Sequence, residues 1–303
     1  MYLTLVKMKA LFEKQISPPL RLVLPLEKMF NEILGKEVSI PKSPKRIASF
    51  SPAATETLFE LGLGDRVVGV SAFCARPIEA RSRRKLGSYN TARDEVLEDI
   101  HPDLVLTVTG YQRDFALRLS KRYPVYPLEL PVTVAGIIDF VVKVGLVAGA
   151  VESGRDIASK LFRSLARLER VDGLNGYVEI DLGGPVSFGR YSYITDAFRL
   201  LGSAHIYEDA ACEWLKPNFD EVASKDPDAL FYEPKMFSTF GEQDIGPLLV
   251  SRGWERMRAA KAGNVFVTPG PLDFLAHHGP SFITEALPWL QRKLRMAKER
   301  VGG

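Results

Sequence analysis

Short apolar runs alternate with amphipathic segments along most of the chain. Runs at 67–70, 104–108 and 229–232 are bounded by turn residues, a pattern that predicts buried strands. The segments at 94–100 and 134–147 have helical periodicity. Strands that alternate with helices form parallel sheets covered on both faces, so the pattern predicts an α/β fold.

One local order of elements occurs twice. Residues 55–62 (TETLFELG) and 195–202 (TDAFRLLG) each begin with Thr and an acid and end with Gly, as capped helices do. Residues 95–106 and 220–231 each place an acid seven positions before a Pro-Asp turn, which a short apolar strand follows. The repeat therefore predicts two similar parallel-sheet α/β lobes with a ligand cleft between them.

A long amphipathic segment lies between the two repeats. Apolar residues recur on one face from 152 to 170, and Asp172-Gly173 ends the pattern. We predict that this single long helix joins the lobes; the alternative is a surface helix of one large domain. The predicted parts are an N-terminal extension, a first lobe, a connecting helix and a second lobe, at residues 1–35, 36–150, 151–171 and 172–303.

The composition is that of an ordinary globular protein. The chain has 303 residues, of which 46% are hydrophobic and 25% charged, and its net charge is only +3. The basic residues are scattered, which argues against a nucleic-acid partner, and the densest run, 81–85, is interpreted as solvated surface. Nothing marks a large interface, so a monomer is expected.

The loops that follow the strands are the candidate ligand site. In parallel sheets ligands collect beyond the carboxyl ends of the strands. Aromatic and polar residues concentrate there and suit a large, partly apolar small molecule, although any one aromatic could simply cap the core. The candidate ligand-binding residues are Ala54, Phe73, Cys74, Tyr89 and Tyr111 in the first lobe and Arg190, Tyr191, Trp214, Phe274 and His277 in the second.

Signatures of enzymes are missing from the sequence. It contains no phosphate-binding GxxxxGK[ST] loop, no HExxH and no GxSxG. His277-His278 has no third ligand at a diagnostic spacing, so no metal site is predicted. Cys74 and Cys212 either bridge the cleft or remain two buried thiols. We predict no catalytic residue and no resident cofactor.

The residues that carry a family resemblance begin at 44–56 (PKRIASFSPAATE) and 61–70 (LGLGDRVVGV). They resemble the opening of the ABC-transporter substrate-binding proteins for cobalamin and ferric siderophores, and similar landmarks continue in order from about residue 36 to the last helix. Residues 51–56 and the Cys74 loop are more similar to the cobalamin binders. Residues 270–280 lack the Pro-Gly-Pro-Arg ending that is usual in the family.

The resemblance implies a function and its partners. A non-enzymatic receptor would capture cobalamin or a ferric chelate in the cleft and deliver it to a membrane permease, which works with its ATPase. Glu95 and Asp220 match the positions that dock onto the permease, although acids are favoured in any first helical turn.

The resemblance also implies work outside the cytoplasmic membrane. The sequence shows no recognisable secretion signal or lipid-anchor cysteine. A cytoplasmic chelatase-like enzyme of tetrapyrrole or metal metabolism, or a metal-chelate chaperone, is therefore the alternative, and His277-His278 favours it.

Overall fold

A computed structural model describes residues 26–302 of the chain. It begins with a hairpin in which β1 (Leu26–Asn31) pairs antiparallel with β2 (Lys36–Pro41). Part of the predicted N-terminal extension is therefore a strand. The remainder, residues 1–25, lies outside the described residues.

The first lobe is a parallel sheet with helices on both faces. Five strands run in the order β5-β4-β3-β6-β7. They are β3 (Ile47–Ser49), β4 (Val67–Val70), β5 (Arg84–Lys85), β6 (Leu104–Val108) and β7 (Val125–Leu128). The lobe's helices are α1 (Pro52–Glu60), α2 (Asp94–Ile100) and α3 (Arg113–Leu119). Neighbouring residues on a strand enter opposite cores, as Leu104 and Val105 do, which is why these strands read as continuous apolar runs.

The segment between the lobes consists of two packed helices, α4 (Val134–Val147) and α5 (Val151–Leu165). They approach so closely that a Cβ atom on Gly145 would lie 3.1 Å from the Cα atom of Gly154. Helix α4 packs against α1 of the first lobe and against a helix of the second lobe. The helix predicted at 152–170 is thus shorter than expected, and α4 shares the connection.

The second lobe has a mixed sheet around a central strand, β8 (Asn175–Asp181). Parallel to it run β10 (Ala204–His205), β12 (Ala229–Glu233) and β13 (Val265–Val267). A tight turn follows β8, in which the backbone N–H groups of Gly183 and Gly184 both donate to Oδ1 of Asp181 at 2.9 Å. The chain therefore reverses into β9 (Pro185–Phe188), which is antiparallel to β8, and β11 (Trp214–Leu215) pairs antiparallel with β9. The α/β class is confirmed, but only the first sheet is wholly parallel.

The helices of the second lobe are α6 (Tyr193–Leu200), α7 (Phe219–Lys225), α8 (Ile245–Arg252), α9 (Arg258–Lys261) and α10 (Leu287–Gly302). Helices α8 and α9 are separate because the chain leaves α8 at Gly253, whose φ of 70° lies in the left-handed region that ends many helices. None of the helices in residues 26–302 combines the length and the apolar character that a membrane crossing requires.

Candidate functional site

A buried ion pair joins the two lobes. Glu56 lies in α1, and its Oε2 is 2.8 Å from Nε2 of His277, in the loop after β13. The backbone N–H of Ser281 also donates to Glu56, at 3.3 Å. Burial by itself would raise the pKa of Glu56, but the charge and hydrogen bond of His277 outweigh it and lower that pKa. The carboxylate therefore stays ionised and holds the His277 loop against the first lobe.

Glu233, at the end of β12, binds the backbone of the same His277 loop from the second lobe. Its carboxylate accepts hydrogen bonds from the backbone N–H groups of Leu275 and Ala276, and the Tyr193 hydroxyl donates to the carbonyl of Leu275 at 2.9 Å. Burial, reinforced by the charge of Asp273, raises the pKa of Glu233 to about 8. The His277 loop is thus fixed to the second lobe by three hydrogen bonds.

A small pocket opens where the lobes meet. Phe73 and Arg76 of the first lobe and Met236 and Asp273 of the second are among its lining residues. The Arg76 guanidinium donates to the backbone carbonyl of Asp273 and adds a second link between the lobes. Burial raises the pKa of Asp273, while the charges of His277 and Arg76 oppose the rise.

Gln112 binds the loops of the first lobe that form one wall of the cleft. Its side chain accepts the backbone N–H of Val108 at 2.8 Å and donates to the carbonyls of Phe50 and Tyr89. One amide thereby ties together the loops after three strands. The Tyr89 ring meets Phe73 edge to face, with the ring centroids 6.4 Å apart.

Tyr89 faces carboxylates of the second lobe. Burial raises the pKa of its phenol, and the nearby charges of Asp273 and Glu213 raise it further. Burial also raises the pKa of Glu213, which directly precedes Trp214. Tyr89 is therefore near enough to the residue that precedes Trp214 to be affected by its charge.

The wall from the second lobe depends on a close backbone approach at Gly189. A Cβ atom there would lie 2.5 Å from the carbonyl oxygen of Cys212, so only glycine fits. The neighbouring Tyr191 N–H donates to that same carbonyl at 3.0 Å. Tyr191 and Trp214 remain 51% and 44% exposed. The Arg190 guanidinium is also exposed and lies 3.7 Å from Oδ1 of Asp209.

Four of the predicted ligand-binding residues are buried in the structure, and His277 with its Glu56 contact is one of them. Ala54 and Cys74 are inaccessible, and Phe274 packs against Trp289 with a centroid separation of 5.5 Å. They support the walls of the cleft, and their contact with a ligand stays a prediction. Cys74 and Cys212 are free thiols. The side chain of Tyr111 lies outside the described part of the structure.

The histidine pair is divided between two environments. His277 contacts Glu56, whereas His278 is buried edge-on against Phe140, and burial lowers its pKa to about 3. Within residues 26–302, no three His, Cys, Asp or Glu side chains are grouped so that they could hold a metal ion.

The two predicted docking acids are exposed at equivalent places. Glu95 lies in the first turn of α2, and Asp220 in the first turn of α7. Glu95 contacts Arg93 of its own lobe at 3.0 Å.

The sequence patterns do not identify Glu56, Gln112 and Glu233 as organisers of the site. Glu56 reads only as an acid at a helix start. Gln112 and Glu233 carry little local signal, because the carbonyls of Phe50 and Tyr89 and the backbone N–H of Leu275 lie far from them in the sequence.

Two α/β lobes around a cleft walled by aromatic side chains define a ligand-binding protein of the two-lobe type. The chain belongs to the periplasmic binding protein family, whose model matches residues 47–272. The resemblance seen in residues 44–56 and 61–70 is thereby confirmed. The family is one of binding proteins and not of enzymes.

Curated relatives match parts of the chain. An uncharacterized ABC transporter substrate-binding lipoprotein, YvrC of Bacillus subtilis, is 42% identical over 72 residues, which are 24% of this chain and 23% of that protein. A cobalamin-binding protein of Halobacterium salinarum is 24% identical over 202 residues, which are 64% of this chain and 55% of that protein. The chain thus spans about half the length or less of these relatives.

Solved structures share the fold more completely. The periplasmic vitamin B12 binding protein BtuF of Vibrio cholerae has a TM-score of 0.65 at 20% identity, and the match covers 84% of this chain and 98% of that one. The periplasmic heme-binding protein RhuT from Roseiflexus sp. RS-1 has a TM-score of 0.68, with the same identity and coverage.

Proposed function

We propose that this protein is the substrate-binding component of an ABC importer, and that it captures cobalamin or a ferric chelate in the cleft between its lobes. The observation that carries the proposal is the set of exposed aromatic side chains on both walls: Phe73, Tyr191 and Trp214 are 38%, 51% and 44% exposed. Large flat ligands bind by apolar burial and stacking on such rings. Similar proteins named as binders of cobalamin, vitamin B12 and heme support this class of ligand.

Within this class we favour cobalamin. The names of both the Halobacterium relative and the Vibrio structure refer to cobalamin or vitamin B12. No resident cofactor is required in this proposal, since the chelate is the cargo.

Delivery would take place through the membrane permease, with its ATPase driving transport. Glu95 and Asp220 are exposed, one per lobe, and suit docking onto basic residues of a permease. Such a receptor would work outside the cytoplasmic membrane, as the words periplasmic and lipoprotein in the names of similar proteins suggest.

The histidine pair His277-His278 was one of the two features that favoured the chelatase-like or chaperone alternative. Nε2 of His277 is bonded to Glu56, and His278 is buried against Phe140, so neither histidine presents an exposed ring to a metal in the cleft. We therefore keep the proposal that the protein binds its ligand without converting it chemically.

A retention experiment tests the proposal. The purified protein is incubated with cyanocobalamin, haemin or a panel of ferric siderophores, desalted, and examined by visible absorbance. We expect one chromophore to be retained, chemically unchanged, at about one per chain. Retention of none, or chemical conversion of a tetrapyrrole, would contradict the receptor function.

Two substitutions then locate the ligand. Trp214→Ala should weaken binding about ten-fold, since aromatic anchors often contribute more than about 1 kcal/mol. Phe162→Ala is the matched control, because Phe162 is 57% exposed but lies on α5, away from the predicted cleft loops. An equal loss of affinity in Trp214→Ala and Phe162→Ala would contradict binding of the ligand against the aromatic wall.

A further inference from the structure

The densest basic run in the sequence contributes to a pocket on the far side of the first lobe. The pocket has a volume of about 330 Å³ and is lined by Arg46, Arg83 and Arg84 together with Asp65. It lies where β3 and β4 begin, because Arg46 directly precedes β3 and Val67 starts β4. The cleft loops follow the carboxyl ends of the same strands, so the pocket occupies the opposite edge of the sheet.

The three arginines differ in how well their donors are satisfied. Nε of Arg46 donates to the carbonyl of Ile100 at 2.7 Å, and Arg84 is paired with Asp99. Nε of Arg83 is buried and has no hydrogen-bond partner among the described residues. The Nη2 atom of Arg83 lies 3.8 Å from Oδ1 of Asp65, which is too far for a hydrogen bond.

The environment of Arg83 strengthens its attraction for an anion. Its guanidinium carbon lies 5.6 Å from the centre of the Phe59 ring, and Val67 and Val68 form an apolar part of the lining. A charge beside apolar groups is screened less than one in open water. Asp65 is fully exposed and screened by solvent, so it competes only weakly for Arg83.

We propose that this pocket binds a phosphate-class anion, either inorganic phosphate or a phosphate monoester. Arginine donors match phosphate oxygens in geometry and charge, and an anion here would meet the partly exposed guanidinium of Arg83, whose contact with Asp65 is only at 3.8 Å. The existence of this site does not depend on the proposed transport function.

The fold favours a soluble anion over a lipid headgroup as the source. Helix α2 begins near Glu95, on the cleft side, and ends at Ile100, which lines the pocket. A protein docked on a permease through Glu95 would therefore turn the pocket away from that membrane. This choice of source, unlike the site itself, rests on the proposed docking.

The test uses the full chain and inorganic phosphate. Calorimetric titration with sodium phosphate, against sodium chloride at matched ionic strength, should show saturable binding. Arg83→Gln should weaken it at least about ten-fold, which corresponds to about 1.4 kcal/mol. Asp65→Asn, at a fully exposed position, should tighten it about two- to three-fold, because a competing charge is removed.

Arg118→Gln is the matched control. Arg118 is exposed on the same lobe, and its guanidinium lies 5.9 Å from the centre of the Phe115 ring, so the variant loses the same charge and a similar ring contact outside the pocket. Circular dichroism in chloride buffer checks that each variant is folded. Absence of saturable binding, or equal binding by wild type and Arg83→Gln, would overturn the site and leave the proposed function untouched.

A vesicle-binding experiment distinguishes a soluble phosphate from a lipid headgroup as the ligand. Sedimentation with phosphatidylglycerol vesicles, against phosphatidylcholine vesicles, should show no recruitment that depends on Arg83. Recruitment lost in Arg83→Gln, without binding of free phosphate, would overturn the soluble source in favour of a lipid headgroup.

Discussion

Each lobe contains an equivalent helix, α1 in the first lobe and α6 in the second, but the two helices make different tertiary contacts. Helices α1 and α6 have Ser caps at Ser51 and Ser192, whose hydroxyl groups accept backbone N–H groups within the first turn, at 3.2 Å in each case. They end before Gly62 and Gly202, whose φ angles are 74° and 80°. The helix scaffold is therefore duplicated closely, including both of its ends.

The equivalent acids on these helices have different partners. Glu56 of α1 pairs with His277 of the other lobe, whereas Asp196 of α6 accepts the backbone N–H of Val134, where α4 begins, at 2.8 Å. Glu56 thus links the two lobes directly, and Asp196 binds the start of α4 in the connection between them. The comparison teaches that a repeated backbone position can keep its chemistry while its tertiary role changes.

The Pro-Asp turns show the opposite behaviour, since both their chemistry and their role are the same. Asp103 accepts the backbone N–H of Arg46 at 2.8 Å, just before β3, and Asp228 accepts that of Asn175 at 2.9 Å, where β8 starts. Each turn positions a central strand of its sheet. The acids of the two turns thus keep both their kind of partner and their role, whereas the equivalent helix acids Glu56 and Asp196 do not.

The largest expected effect comes from the cores beneath the paired helices. Leu58 and Phe198 occupy equivalent positions and are fully buried. Leu58→Ala should cost about 2–5 kcal/mol and Phe198→Ala about 3–5 kcal/mol of unfolding free energy, because each leaves a cavity. Denaturant unfolding measures both, with Leu200→Ala, at 41% exposure on α6, as the control. Costs no greater than that of the control would show that the repeated helices are not core elements.

The paired acids should differ in importance. Glu56→Ala leaves His277 without its buried partner and should cost about 3 kcal/mol, whereas Asp196→Ala removes one bond at a helix start and should cost about 1 kcal/mol. Chemical denaturation of both variants measures the difference. Equal losses would contradict the distinct roles assigned to these acids.

The stability of the His277 loop should depend on pH through Glu233. Its pKa of about 8 lies above the ordinary value of 4.5, so protonation favours the folded state. That contribution is complete below pH 4.5 and is lost as the pH rises towards 8. Wild type should therefore lose at least about 1.4 kcal/mol relative to Glu233→Gln between pH 5 and pH 8. A difference between the two proteins that is independent of pH would refute the shift.

The smallest effect on stability is expected at the proposed docking acids. Glu95→Ala and Asp220→Ala are exposed substitutions and should change the free energy of unfolding by less than about 0.5 kcal/mol. Ligand affinity should be unchanged, while uptake through the permease should fall. Glu98→Ala, an exposed change on the same α2 helix, is the control. Uptake that survives loss of both acids would reject the docking assignment.

Local patterns predicted many elements to within a residue or two. The bounds of β4, α2, β6 and α4 agree with the predicted apolar runs and helical segments. The two-residue strand β11 and the reversal into β9 were missed, because such short antiparallel pairings leave little periodicity to detect.

Taken by itself, the sequence determined the α/β class, the internal repeat, the capped helices and the loops that form the cleft. These features depend on hydrogen bonds and apolar periodicity within a few neighbouring residues. Only the tertiary structure decided that Glu56 meets His277 across 221 positions, and that Arg46 and Arg83 share a pocket. Such contacts depend on the order of strands in the sheets and on the packing of the lobes, which no local pattern encodes.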